Sequence, residues 1–159
     1  MRRRLFSGLL ALLPVALIAQ QNTAGAPPKI VFVCEHGAAK SVIAAKELEK
    51  LARQRGISLQ AVTRGTTPDP EIPAAVRDGL KADGIDIGTM KPVRVKAEDL
   101  RDAAMVISFG PDLSSLAGSK LKVEDWSAAP AMGANFQPTR DYIVKRLENL
   151  LDQLAQAKR

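Results

Sequence analysis

Lys29-Ile30-Val31-Phe32-Val33-Cys34-Glu35-His36-Gly37-Ala38-Ala39-Lys40-Ser41 is the stretch on which the reading of this chain turns. Up to Cys34 it is a nearly unbroken apolar run rich in β-branched side chains, the pattern of a strand covered on both faces. Gly37, Ala38 and Ala39 then make a small-residue loop. From Ser41 the period becomes helical: Val42, Ala45, Leu48 and Ala52 recur at three- and four-residue spacing, and Gly56 ends the run. Small residues between a buried strand and a helix start let successive N–H groups turn inward, and such a nest binds a tetrahedral anion. A Cys at its mouth is favoured as thiolate by the positive end of the helix dipole and by the ammonium of Lys40. Beside a bound phosphate or arsenate, that thiolate is set for in-line attack. Ser41 is expected to cap the helix and to hydrogen-bond Cys34.

Outward from this unit, strands and helices alternate. Strands are expected at 59–63, 105–109 and 121–123, helices at 72–82, 97–103 and 139–157, and a short extended piece at 91–96. The last helix carries an apolar stripe of Ile143, Leu147, Leu150, Leu151 and Leu154. Alternation of this kind predicts an α/β fold, a four-stranded parallel sheet with helices on both faces. Functional residues then belong beyond the carboxyl ends of the strands, at the switch point, and Cys34 falls at one of those ends.

Before this unit, Arg2, Arg3 and Arg4 precede a 15-residue apolar run, Leu5 to Ala19. That run is short of the ~20 residues that cross a bilayer and matches a secretory signal peptide. Residues 1–28 are read as signal peptide and spacer, and 29–159 as one domain. An exported location, periplasmic or secreted, is expected, with an uncleaved membrane-anchoring leader as the alternative and the only membrane contact. The whole chain has 23 Lys+Arg against 17 Asp+Glu, a net charge of +6. Without the three leader arginines the balance is 20 against 17, or +3, too small an excess for a nucleic-acid surface. One Cys and one His exclude an internal disulfide framework, a CxxC motif and a His/Cys metal cluster. Lys40-Ser41 mimics the end of a nucleotide-hydrolase phosphate loop, but that motif needs Gly at the places of Cys34 and Ala39. Trp126, Phe136 and Tyr142 read as packing residues.

The loop and its setting resemble the low-molecular-weight protein tyrosine phosphatases and the related arsenate reductases, whose signature is Cys, five residues, Arg, then Ser or Thr after the first strand. The resemblance runs from Lys29 to the closing helix and implies a flavodoxin-like winding of the sheet. It implies Cys34 as nucleophile, Ser41 as the hydroxyl that stabilises the thiolate, and Lys40 as phosphate clamp. Glu35, His36, Gly37, Ala38 and Ala39 would complete the substrate loop. Arg64, at the end of the adjacent strand, is a candidate second cation. Three departures stand out. Lys40 replaces the family's Arg and offers a point charge in place of a rigid fork. Ala129-Pro130 stands where the family has its acidic Asp-Pro, leaving Asp125 as the nearest candidate acid. Glu35 adds a negative charge to an anion site. The implied activity is weak hydrolysis of phosphate monoesters, phosphotyrosine among them, through a cysteinyl-phosphate. The alternatives are arsenate reduction with an external thiol, or oxyanion binding without turnover. No cofactor and no metal are implied. The expected partner is a phosphate- or arsenate-bearing small molecule or phosphoprotein, and oligomeric state is left open.

Overall fold

The computed structural model describes residues 25–117, 121–133 and 135–156. The leader expectation therefore lies almost wholly outside the described residues. Within them, no helix is long and apolar enough to cross a membrane.

Four strands, β1 (Lys29–Cys34), β2 (Gln60–Gly65), β3 (Met105–Ser108) and β4 (Val123–Asp125), form one parallel sheet in the order β2-β1-β3-β4. This is the expected winding, with β1 central and the chain reversing direction across it, so that the switch point opens between the carboxyl ends of β1 and β3.

The apolar run of β1 is explained by its two faces. Ile30, Phe32 and Cys34 enter a large core with α1 (Lys40–Gln54), α2 (Ala74–Ala82) and α5 (Gln137–Gln156). Val31 and Val33 enter a smaller core with Leu100 of α3 (Ala97–Arg101) and Leu113, which lies just before α4 (Ser114–Ala117). Every residue from Ile30 to Cys34 is buried, as a central strand sandwiched by helices requires.

Several boundaries differ from expectation for local reasons. α1 begins at Lys40 rather than Ser41. α2 begins at Ala74 because Pro73 holds an extended ψ of 144° and biases Ile72 away from helix. β4 sits two residues later than expected, so Asp125 is its last residue rather than part of the following loop. The 91–96 piece contributes one isolated bridge, Gly65 to Arg94. α3 stops at Arg101, and the single-turn α4 was not foreseen.

Candidate active site

The loop after β1 is shaped by carbonyls that all turn the same way. Those of Cys34, Glu35 and His36 accept the N–H groups of Thr66, Thr67 and Asp69 at 3.2, 2.8 and 3.1 Å. With the carbonyls tied to the strand-end segment of β2, the loop's N–H groups face elsewhere. Among the described residues, none from Glu35 to Ser41 donates to a protein acceptor. Such a run of free amides, ending at the start of a 15-residue helix, is an anion cradle in waiting.

Two glycines make that geometry possible. Gly37 has φ +60°, and a Cβ on it would lie 2.8 Å from the Gly65 nitrogen. A Cβ on Gly65 would lie 2.6 Å from the Gly37 nitrogen. Loop and strand end meet backbone to backbone, and no side chain fits between them. The role of Gly65 was missed from the sequence; its only signal was a glycine closing a strand.

Cys34 sits at the base of the loop, 6% exposed. Its Sγ is 3.1 Å from Ser41 Oγ, and Ser41 Oγ in turn accepts a hydrogen bond from Thr63 Oγ1 at 2.8 Å. Ser41 has one proton. Since it accepts from Thr63, that proton is free to be donated to the sulfur, an arrangement matched to a thiolate acceptor. The expected Ser41–Cys34 bond is therefore present, but the capping role is not. Ala39 is the cap residue of α1, without a side-chain cap, and Ser41 is fully buried in this relay. Thr63 was also missed. Its signal was a hydroxyl in a strand with an otherwise apolar inward face.

The sheet register decides which of the other candidates can join Cys34. Thr63 is paired with Phe32 and shares the Cys34 face; Arg64 is paired with Val33 and lies on the opposite one. There its guanidinium binds Asp99 Oδ1 at 2.8 Å and the Thr63 carbonyl at 2.9 Å. Arg64 is thus an ion-pair partner of α3 and not a second cation of the loop. Asp125 pairs with Ser108, which pairs with Val33, and so also falls on the α3 side. It is exposed, and hydrogen bonds from Ser127, chiefly its backbone N–H at 2.7 Å, hold its carboxyl below the usual range. A group that must carry a proton to a leaving oxygen needs the opposite shift. The general-acid expectation for Asp125 is corrected on both counts.

Lys40 projects from the first turn of α1, and its Nζ donates to the Ala129 carbonyl at 3.3 Å. It bridges the cradle to the turn at 126–130, which Thr139 anchors by hydrogen bonds to the carbonyls of Pro130 and Ala131. Trp126 in that turn is core, as expected. It is 1% exposed, lies edge-on to Phe109 at 5.8 Å and carries the Arg146 guanidinium 4.7 Å over its ring.

Glu35 and His36 stand exposed on the loop. His36 Nδ1 lies 3.2 Å from Asp69 Oδ1, and Nε2 lies 3.8 Å from Glu35 Oε2. A cleft of about 420 Å³ opens beside them, lined by Glu35, Thr66, Thr67, Phe109 and Asp112. Among the described residues no cluster of His, Cys, Asp and Glu could hold a metal.

Comparison with known proteins agrees with this architecture. Residues 29–76 match the family described as PTS system, Lactose/Cellobiose specific IIB subunit. A provisionally named arsenate reductase of Halobacterium salinarum is 24% identical over 136 residues, covering 82% of this chain and 96% of that protein. The crystal structure of YfkJ from Bacillus subtilis superposes with a TM-score of 0.76 at 21% identity, over 86% of this chain and 99% of that one. The solution structure of a low-molecular-weight protein tyrosine phosphatase from Bacillus subtilis gives a TM-score of 0.69 at 17% identity, over 82% and 99%. In fold the chain is similar to the low-molecular-weight protein tyrosine phosphatase of Bacillus subtilis, and in sequence it is similar to an arsenate reductase.

Proposed function

We propose that this protein is a Cys-dependent hydrolase of phosphate monoesters, phosphotyrosine among them, working through a cysteinyl-phosphate on Cys34. The observation that carries the reading is the Thr63–Ser41–Cys34 relay at the base of a loop of unpartnered amides. The amides from Glu35 to Ser41 would hold the phosphoryl oxygens over the sulfur, with the α1 dipole behind them. Ser41 would stabilise the thiolate before attack and again as it leaves. Lys40 would supply the remaining positive charge by turning from the Ala129 carbonyl to the anion. An ammonium is a weaker clamp than a guanidinium fork, and slow turnover follows.

The test is hydrolysis of an aryl phosphate by the protein and by Cys34→Ser, with trapping of the phosphoenzyme in the wild type. Equal rates for the two would overturn the reading. Calorimetric binding of phosphate with no turnover would instead favour a non-catalytic oxyanion module.

Arsenate reduction is the second reading, favoured by the similarity to the Halobacterium protein. With one Cys in the chain, the arsenylated sulfur would have to be resolved by an external thiol. Thiol-dependent arsenite production separates this from hydrolysis. We further propose, on the Arg2–Ala19 leader alone, that the enzyme acts outside the cytoplasm, on a small phosphorylated molecule or phosphoprotein there. Fractionation of cells expressing the full chain tests it.

A further inference from the structure

The site as described has a nucleophile, a cradle and a cation, but no proton donor for the leaving group. Ala129 and Pro130, at the turn that Lys40 reaches, carry no acid, and Asp125 lies on the other face of the sheet with its carboxyl held below the usual range by Ser127. We propose that His36 is that donor, with Asp69 as its positioning residue.

Four observations carry this. His36 is the only imidazole in the chain and lies two residues from the nucleophile, in the loop that would hold the phosphoryl group. The loop is fixed at this point, since the His36 carbonyl accepts the Asp69 N–H at 3.1 Å and the next residue, Gly37, is locked against Gly65. The ring is more than half exposed, so it can meet a substrate, yet its Nδ1 is addressed by Asp69 at 3.2 Å. That contact selects the orientation in which Nε2 is the outer nitrogen, beside Glu35, and Glu35 lines the adjoining cleft. A carboxylate behind one ring nitrogen is how an imidazole is aimed for proton transfer from the other. Glu35 from its own loop and Asp69 from the β2–α2 connection are the charged groups facing the ring among the described residues. The pair also gives Glu35 a purpose: a protonated His36 meets an anion at each nitrogen, which offsets the negative charge that Glu35 brings to an anion site.

The Cys34 thiolate donates its electron pair to phosphorus, the phosphorus–oxygen bond of the ester breaks, and that oxygen takes the Nε2 proton of His36 and departs as an alcohol or phenol. Neutral His36 then accepts a proton from a water molecule as the water oxygen attacks phosphorus. The sulfur–phosphorus bond breaks, and phosphate leaves with the thiolate and the imidazolium restored.

The proposal rests on the hydrolase reading, and the experiment separates the two. Single-turnover phosphorylation of Cys34 is measured for wild type, H36Q and H36A with two esters: phenyl phosphate, whose leaving oxygen needs a proton, and 2,4-dinitrophenyl phosphate, whose leaving oxygen does not. H36Q is expected to lose about 10²-fold on phenyl phosphate and at least tenfold less than that on the dinitrophenyl ester. Added imidazole should restore part of the H36A rate on phenyl phosphate. The fall in rate with rising pH that loss of the donated proton imposes should vanish in H36Q, and D69N should slow phenyl phosphate more than the dinitrophenyl ester. If H36Q slows both esters equally, or neither, with no rescue by imidazole, His36 is not the donor although the hydrolase reading stands. If wild type shows no Cys34-dependent reaction even with the dinitrophenyl ester, the hydrolase reading fails and the proposal falls with it.

Discussion

At the scale of single residues, the site depends on contacts with almost no tolerance. Ser41 is fully buried between a sulfur and a threonine hydroxyl, so its hydrogen has one useful destination. Hydrogen bonds to charged acceptors are worth about 1.5–3 kcal/mol, and Ser41→Ala should therefore slow iodoacetamide alkylation of Cys34 at neutral pH about tenfold or more. Thr63→Val leaves Ser41 present but free to turn, and should slow it by less. Equal alkylation rates in all three proteins would contradict the relay. The Gly37–Gly65 contact is stricter still. Gly65→Ala puts a methyl 2.6 Å from a backbone nitrogen, so loop and strand must part. A stability loss of about 2–3 kcal/mol is expected in chemical denaturation, together with loss of phosphate binding. By contrast His36→Gln, on the exposed rim, should leave stability within about 0.5 kcal/mol.

Secondary-structure elements are joined by a few charged ties whose pH behaviour can be predicted. Arg64 of β2 and Asp99 of α3 pair at 2.8 Å, and Asp99 also accepts the N–H of Lys96 at 2.9 Å, capping the helix. Burial alone would raise the Asp99 carboxyl, but the Arg64 guanidinium and the Lys96 N–H outweigh it and hold the group below its ordinary value. A depressed folded value means stability that is present above the unfolded value and lost as pH falls through the folded one. Asp99→Asn should accordingly cost about 2 kcal/mol at pH 7, with the gap to wild type closing as the pH drops below about 4. A gap independent of pH would mean that packing, not charge, holds α3 to β2. Helix α1 shows the other kind of tie. Its buried face is wider than the four-residue stripe read from periodicity, taking in Ile43, Ala44 and Glu47, because it packs against both the sheet and α5.

Across the whole molecule, Glu47 is the least expected feature of the core. It is 1% exposed on α1, faces Arg140 of α5 at 3.4 Å and Lys50 at 3.6 Å, and meets Asp83, which binds Arg140 at 2.9 Å. This cluster joins α1, the end of α2 and α5. Burial first, and then the neighbouring Asp83 carboxyl, push the Glu47 carboxyl up against the pull of Lys50 and Arg140. A raised folded value acts in the opposite sense to Asp99: its contribution is complete below the ordinary Glu range and is lost as pH rises through the folded value. Glu47→Gln should thus match wild type near pH 4 and equal or exceed it at pH 7–8, by up to about 1 kcal/mol. Arg140→Met removes the shared cation and leaves two carboxylates facing each other, at a cost of about 3 kcal/mol. Urea denaturation across pH checks both, and a Glu47→Gln deficit that grows with pH would reverse the assignment.

The alternation of strands and helices, the two-sided burial of β1 and the Cys34–Ser41 loop were legible in the linear text, because they depend on local periodicity and on spacing within a dozen residues; the order of the strands was implied by the family resemblance and not by periodicity. So was the packing role of Trp126. The fates of Arg64 and Asp125 were not, since a strand residue's face is set by its register against neighbours far along the chain, and one step of register exchanges the active-site side for the other. Gly65, Thr63 and Asp69 likewise gained their meaning only when folding brought the end of β2 against the loop after β1. Chain order alone carries the chemistry a residue can perform; which residues perform it together is settled by long-range pairing, where distance in sequence no longer measures distance in space.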